Sequence, residues 1–90
     1  MAETKWARKD NWVGTQIDDA FVMLNFEGGE YVSLNSSARD VWQALETPQT
    51  PHDLVAILTA RYDVTPEMCA QSVDRLLATL ATKGLICPTA

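Results

Sequence analysis

The sequence predicts an α+β fold in which a three-stranded antiparallel sheet is followed by a bundle of three helices. Strand-favouring apolar runs occupy the first 35 residues, with Gly28-Gly29 between two of them as in a hairpin turn. From Ser36 onward the apolar residues recur at the helical period of about 3.6. Thr50-Pro51 and Thr65-Pro66 are typical helix starts, because Thr caps a helix and Pro suits its first position. Strands first and helices later favour an α+β layer arrangement, here of winged helix-turn-helix-like shape.

The three predicted strands are separated by turn signals. The first is Trp12–Ile17, and it ends at Asp18-Asp19, a pair typical of turns. The second is Ala20–Phe26, whose apolar residues are too continuous to assign one buried face by alternation. The third is Tyr31–Asn35, which runs directly into the first helix.

The length of the hairpin loop decides the register of the last two strands. If Gly28 and Gly29 are the two loop residues, Phe26 pairs with Tyr31 and Met23 pairs with Leu34. A longer loop would shift these pairs. A short hairpin that feeds a helix also leaves one strand edge free, and a free edge can bind an extended peptide.

The first helix is predicted from an apolar face that starts just after Ser36. Residues at i, i+3, i+4 and i+7 form this face: Ala38, Val41, Trp42 and Leu45. Ser37 and Asp40 match the capping-box spacing. Ser36-Ser37 could also be considered as a carrier-protein attachment site, but the preceding strands and the missing Asp-Ser-Leu context favour capping.

The second and third helices have clearer boundaries. Thr50 is the expected N-cap of the second helix, and Asp53 supplies an acidic residue in its first turn. Its buried face is predicted to contain Leu54, Ile57, Leu58 and Tyr62. The apolar stripe of the third helix contains Cys69, Val73, Leu76, Leu77 and Leu80. Lys83-Gly84 is expected to end this helix, and Leu85-Ile86 then packs back or forms a short strand.

Length and charge limit the domain organisation and the partners. The 90 residues are expected to form a flexible N-terminal arm, residues 1–10, and a single domain, residues 11–90. The apolar runs are too short to cross a membrane and the N-terminus lacks an apolar signal core, so we expect a cytoplasmic location. The net charge of −5 argues against a nucleic-acid partner, because binding phosphates requires clustered Lys and Arg.

Few residues in the sequence could support catalysis, so no catalytic residue, metal site or cofactor is predicted. Cys69 and Cys87 lack metal-ligand spacing, and the single His52 is assigned a surface or capping role. Cys69 occupies an apolar helical position and is expected in the core, whereas Cys87 is a candidate exposed thiol. Trp42 is also expected in the core, and Trp12 is expected to anchor the first strand.

The block Tyr31-Val-Ser-Leu-Asn35, followed by the apolar helix that contains Val41-Trp42, resembles the PqqD-like family, whose members are also called RiPP recognition elements. The similarity continues through Leu58–Val64 and ends at Lys83-Gly84-Leu85-Ile86, so it covers residues 12–87. The family includes standalone leader-binding proteins of lasso-peptide pathways. PqqD itself often has an aromatic residue after the final Gly, where Leu85 stands here, so a lasso-type pathway is favoured over synthesis of pyrroloquinoline quinone.

The resemblance implies a non-catalytic protein that binds the leader segment of a ribosomally synthesised precursor peptide. The leader would add as a strand beside the third strand, in a groove whose other wall is the third helix. It would then be delivered to a leader protease or another modifying enzyme. Carried onto this sequence, the peptide-binding residues are Tyr31, Val32, Ser33, Leu34, Asn35, Val73, Asp74, Leu76, Leu77 and Leu80.

For several of these residues, packing within the fold is an alternative to peptide binding. We expect at least half of Val32, Leu34, Leu76 and Leu80 to be core residues. Tyr31 could either wall the groove or pack against its cross-strand neighbour. The free edge could also support a homodimer. The alternative function is a winged-helix DNA-binding transcription regulator, although the third helix offers few basic side chains for reading bases.

Overall fold

A three-stranded sheet and three helices form the two layers of the computed structural model, which describes residues 4–89. In chain order the elements are β1 (Trp6–Arg8), β2 (Trp12–Ile17), β3 (Ala20–Asn25), β4 (Tyr31–Leu34), α1 (Ser36–Ala44), α2 (Pro51–Arg61), α3 (Pro66–Thr82) and β5 (Ile86–Pro88). Strands β2, β3 and β4 are neighbours in this order and antiparallel, which confirms the predicted α+β fold.

The hairpin between β3 and β4 has a four-residue loop, Phe26–Gly29, instead of the predicted Gly-Gly pair. The backbone N–H of Asn25 donates to the carbonyl of Glu30 at 2.8 Å and closes the loop. Gly29 has a φ of 73°, a left-handed conformation that glycine adopts without strain. Oδ1 of Asn25 accepts hydrogen bonds from two N–H groups inside the loop, at 3.0 and 3.2 Å. Loops of this length are commonly built around a type I turn.

The longer loop changes the strand register. Tyr31 pairs with Leu24 instead of Phe26, a shift of two residues. The predicted pairing of Met23 with Leu34 is wrong for the same reason. Because side chains alternate with a period of two, an even shift leaves each side chain on the same face of the sheet.

A second, two-stranded sheet was not predicted. β1 pairs antiparallel with β5, so residues 6–8 of the expected flexible arm lie in a strand, which is a correction to that boundary. Thr89 continues the pairing, because its N–H donates to the carbonyl of Lys5 at 2.8 Å. Arg8 contributes from β1 by lying over the ring of Trp42 at 4.6 Å and by donating from Nε to its carbonyl at 2.8 Å. These contacts attach β1 to the helical layer.

The caps of the helices agree with the sequence at α2 but differ at α1. The N-cap of α1 is Asn35, whose Oδ1 accepts from the N–H of Ala38 at 2.9 Å. The predicted capping pair of Ser37 and Asp40 is therefore wrong, and Asp40 is buried instead. Asn35 begins the helix because its short side chain reaches the free N–H groups of the first turn.

The capping box of α2 is complete. Oγ1 of Thr50 accepts from the N–H of Asp53, and Oδ2 of Asp53 accepts from the N–H of Thr50, both at 3.1 Å. The hydrogen bond from the Thr50 backbone lowers the pKa of Asp53, because it stabilises the ionised carboxylate. α3 is capped by Thr65 alone, whose Oγ1 accepts from the N–H of Met68 at 3.3 Å, and Pro66 is at its first position.

One apolar cluster joins the sheet and the helices. Its fully buried side chains are Met23, Val41, Leu45, Leu54, Val73, Leu80 and Leu85. Trp42 is buried as predicted, and Trp12 anchors β2 by donating from Nε1 to the carbonyl of Gly84 at 3.0 Å. Of the predicted face of α2, Leu54 and Leu58 are buried, whereas Ile57 and Tyr62 are half-buried.

The two cysteines are both free. Cys69 is buried as predicted, and this desolvation raises the pKa of its thiol. Cys87 is half-buried in β5 instead of exposed. Within residues 4–89, the helices all fall short of the length and apolar character required to cross a membrane.

Candidate functional site

The site begins with β4, which is an edge strand. It pairs with β3 on one side only, since the sheet order is β2, β3, β4. An edge strand presents a row of backbone N–H and C=O groups that can bind another extended chain. β4 is short and leads directly into α1 through the Asn35 cap.

The backbone groups that face the open edge follow from the hydrogen-bond pattern. In an antiparallel pair, hydrogen-bonded and non-hydrogen-bonded residue pairs alternate. The N–H of Asn25 donates to the carbonyl of Glu30, so this residue pair is hydrogen-bonded. Two positions along, the pair of Met23 and Val32 is hydrogen-bonded as well, and the backbone groups of Val32 point to β3. The backbone groups of Tyr31 and Ser33 therefore point away from β3, toward the free edge.

The side chains of β4 alternate between the two faces of the sheet. Tyr31 is 71% exposed and Ser33 is also exposed, on the outer face. Val32 is half-buried and Leu34 is 7% exposed, on the face that points to the helices. The sequence could not assign these orientations, because the register was still open.

A groove runs between this edge and α3. We call it the β4–α3 groove; its volume is about 420 Å³. Its lining residues are Val32, Ser33, Leu34, Asn35, Ser37, Ala38, Ser72, Arg75, Leu76, Thr79, Leu80 and Lys83. The groove thus combines a free strand edge, an apolar floor and a helix wall.

Six of the ten predicted site residues line the groove: Val32, Ser33, Leu34, Asn35, Leu76 and Leu80. Leu34 and Leu80 are nevertheless buried. Half of the four apolar residues therefore belong to the core, which agrees with the expectation that at least half of them would. Val32 and Leu76 are half-buried and supply the apolar surface that remains accessible.

The other four predicted site residues lie elsewhere. Val73 and Leu77 are 1% and 3% exposed, so they are core residues and do not form the pockets expected of them. Asp74 lies on the opposite side of α3 from the groove. Tyr31 lies on the exposed outer face of β4 and does not line the groove.

Sequence reasoning missed the polar half of the helix wall. Ser72, Thr79 and Lys83 follow the helical spacing of Leu76 and form a stripe beside the core stripe. Arg75 lies at the margin of this stripe. Two adjacent stripes were present in the sequence, one apolar and one mixed, and the mixed stripe is the one that faces the groove.

A second groove lies on the other side of α3, between the starts of α2 and α3. We call it the α2–α3 groove; its lining residues are Pro51, His52, Val55, Pro66, Glu67, Ala70 and Asp74. At about 450 Å³ it is slightly larger than the β4–α3 groove. It has no strand edge along it, so a peptide there would lack regular backbone partners. For this reason the β4–α3 groove is the better candidate site.

The described residues form no cluster of three or more His, Cys, Asp or Glu side chains that could hold a metal ion. His52 is exposed at the start of α2, in agreement with the predicted surface position. The β4–α3 groove offers backbone hydrogen-bonding groups, apolar side chains, hydroxyl groups and two cations.

Comparisons with known proteins identify one family and two similar solved structures. The family described as Coenzyme PQQ synthesis protein D (PqqD) matches residues 20–86. The solved structure of TbiB1 in complex with the TbiA(beta) leader peptide is similar at a TM-score of 0.81 and 28% identity, over 93% of this chain and 98% of that chain. A lasso peptide synthetase B1 complexed with the leader peptide is similar at a TM-score of 0.80 and 26% identity, over 92% and 98% of the respective chains. None of the curated proteins matches.

Proposed function

The chain belongs to the PqqD family, and from this premise we propose that it binds the leader segment of a ribosomally synthesised precursor peptide. The leader adds as a further strand beside β4 and lies in the β4–α3 groove. The observation that carries the proposal is the free edge of β4 opposite α3, with the backbone groups of Tyr31 and Ser33 directed outward.

The similar solved structures support this proposal. Both are complexes with leader peptides, and both match more than nine-tenths of this chain. One of them is a lasso peptide synthetase B1, which favours a lasso-type pathway over synthesis of pyrroloquinoline quinone. The groove of this chain has the features that β-strand addition requires.

The energetics divide the binding between backbone and side chains. Each backbone hydrogen bond to the leader contributes a net of about 0.5–1.5 kcal/mol, largely independent of the leader sequence. Apolar burial contributes about 25 cal/mol per Å² and depends on which leader side chains reach Val32 and Leu76. Selectivity therefore arises from the side chains that line the groove.

The role of the bound complex is delivery, without catalysis by the chain itself. Holding the precursor raises its effective concentration at a partner, which is a leader protease or another tailoring enzyme. The proposed location is the cytoplasm, where the precursor is translated. A homodimer through the free edge of β4 would compete with the leader for the same backbone groups.

Titration of the isotope-labelled protein with the leader of the precursor encoded next to its gene tests this proposal. We expect the NMR amide signals of residues 31–35 and 72–83 to shift, and calorimetry to give one leader per chain. Shifts confined to the α2–α3 groove, or no binding, would contradict the proposal. Sedimentation of the free protein shows whether a homodimer must dissociate first.

A further inference from the structure

The β4–α3 groove carries positive charge on an acidic protein. The chain has a net charge of −5, yet the groove is lined by Arg75 and Lys83 and by no Asp or Glu. We propose that these two cations select a leader with an Asp or Glu side chain on its groove-facing side. This inference rests on the proposed function, because it names the class of peptide that the same groove accepts.

The two cations lack the helical neighbours that usually neutralise such charges. On a helix, ion pairs form between residues three or four positions apart. Around Arg75 these positions hold Gln71, Ser72, Ala78 and Thr79, which are all neutral. The preceding neighbours of Lys83 are Thr79 and Leu80, which are neutral as well.

Ion pairs elsewhere in the described residues do not involve these cations either. The two salt bridges within residues 4–89 both use Asp40, with Arg39 and with Arg61. Asp40 is on α1 and is buried. The positive charges of Arg75 and Lys83 are thus available to a bound peptide.

The acidic residues of α3 lie away from the groove. Glu67 and Asp74 line the α2–α3 groove on the opposite side of the helix. α3 therefore separates its charges, with cations toward the strand edge and carboxylates toward α2. Charges arranged in this manner steer a partner of opposite sign and exclude one of like sign.

The apolar floor narrows the class of peptide further. Val32 of β4 and Leu76 of α3 are half-buried and line the same groove as the two cations. Side chains of an added strand alternate, so every second residue faces the groove. The selected leader segment therefore places an apolar and an acidic side chain on the same face, separated by an even number of positions.

The expected effect is moderate because both cations are solvent-exposed. Exposed ion pairs change an equilibrium constant by about two- to fivefold each. Loss of both cations should thus weaken leader binding by roughly tenfold at low salt. It should also remove most of the salt dependence, since screening acts on the same attraction.

The test uses the leader of the precursor encoded next to this chain's gene, and a second peptide in which every Asp and Glu is replaced by Asn and Gln. We expect the neutral peptide to bind the unaltered protein more weakly. The double variant Arg75→Gln, Lys83→Gln should bind both peptides equally. The variant Lys5→Gln is the control, because Lys5 is an exposed cation that lines neither groove.

Two results would overturn this inference while leaving the proposed function intact. One is equal binding of the two peptides to the unaltered protein. The other is leader affinity in the double variant that matches the Lys5→Gln control. Absence of binding by the unaltered protein would instead contradict the proposed function itself. Thermal melts of each variant confirm that changes in affinity are not changes in folding.

Discussion

The hydroxyl of Tyr62 donates a hydrogen bond of 2.6 Å to Oδ2 of Asp40, the only charged side chain buried among residues 4–89. The other carboxylate oxygen of Asp40 lies 3.3 Å from a guanidinium nitrogen of Arg61 and 3.5 Å from one of Arg39. A buried carboxylate is stabilised only when its oxygens have partners. The Asp40–Tyr62 hydrogen bond thus joins α1 to the end of α2.

The first prediction concerns this hydrogen bond. Tyr62→Phe should lower the free energy of unfolding by about 1–3 kcal/mol, because it leaves one oxygen of a buried carboxylate without its short partner. Urea denaturation measures the change. Tyr31→Phe is the matched control, since Tyr31 is 71% exposed and its hydroxyl has no role in the core. An equal effect of both substitutions would contradict the prediction.

The second prediction concerns the edge of β4. Ser33→Pro removes an N–H group that faces the open edge and should weaken leader binding by about two- to tenfold, because a proline ring cannot donate a hydrogen bond to an added strand. Calorimetric titration with the leader measures the loss.

The control for Ser33→Pro is Gln16→Pro on β2. The N–H of Phe26 donates to the carbonyl of Asn11, so this pair next to β3 and β2 is hydrogen-bonded. Hydrogen-bonded and non-hydrogen-bonded pairs alternate, so the pair of Phe21 and Gln16 is not hydrogen-bonded and the N–H of Gln16 points to the free edge of β2. Gln16→Pro should destabilise β2 about as much as Ser33→Pro destabilises β4, and it should leave the affinity for the leader unchanged. Loss of binding in both variants would indicate general disruption of the sheet.

The third prediction separates the groove from the core with two neighbouring residues of α3. Leu77 is 3% exposed, so Leu77→Ala should cost about 2–5 kcal/mol of folding free energy by leaving a cavity. Leu76 lines the groove and is half-buried. Leu76→Ala should therefore destabilise the fold much less but weaken leader binding. Denaturation and titration of both variants measure the two effects, and the reverse order would place Leu77 in the groove.

The fourth prediction concerns acid stability. The pKa of Asp53 is lowered in the folded state, chiefly by the hydrogen bond from the Thr50 backbone. A lowered pKa means that the folded state binds the proton less readily than the unfolded state. The stabilising contribution is then present above the ordinary pKa of Asp, about 3.9, and is lost as the pH falls through the lowered value.

Asp53→Asn should consequently reduce the steepness with which stability falls between about pH 5 and pH 2. Urea midpoints measured across this range for the two proteins test the prediction. The other carboxylates titrate equally in both proteins, so their contributions cancel in the comparison. Parallel curves would show that Asp53 contributes nothing to acid unfolding.

The sequence predicted the helices well because their signals are local. Thr50 and Thr65 each cap a helix that starts at the following Pro, as their spacing indicated. The apolar period identified Trp42 as a core residue, and burial confirms it. These features depend on neighbours within one or two turns, which a single sequence contains.

The hairpin register could not be obtained in this way. A Gly-Gly pair suggests a two-residue loop, but the side chain of Asn25 stabilises a longer one by accepting hydrogen bonds from two loop N–H groups. β1 was missed for a different reason. It has only three residues, and its partner β5 is at the other end of the chain, so no local pattern predicts the pairing.

The candidate site was predicted in outline but not in its side chains. The free edge at residues 31–35 and the third helix were both identified. Val73 and Leu77 were expected to form pockets, yet the core covers them, and the mixed stripe containing Leu76 and Thr79 faces the groove. Adjacent stripes differ by only about 100° around a helix. Only the packing of the sheet decides which stripe remains open.

The pairing of β1 with β5 has a consequence for engineering the chain. Both hydrogen bonds from Thr89 to Lys5, at 2.8 and 3.1 Å, hold residues near the two ends of the chain side by side. A linker of a few residues could therefore join the ends, and new termini could be opened in the Phe26–Gly29 loop, which lines neither groove. Such a circular permutant would begin just before β4, so a leader sequence fused there would reach the open edge within the same molecule.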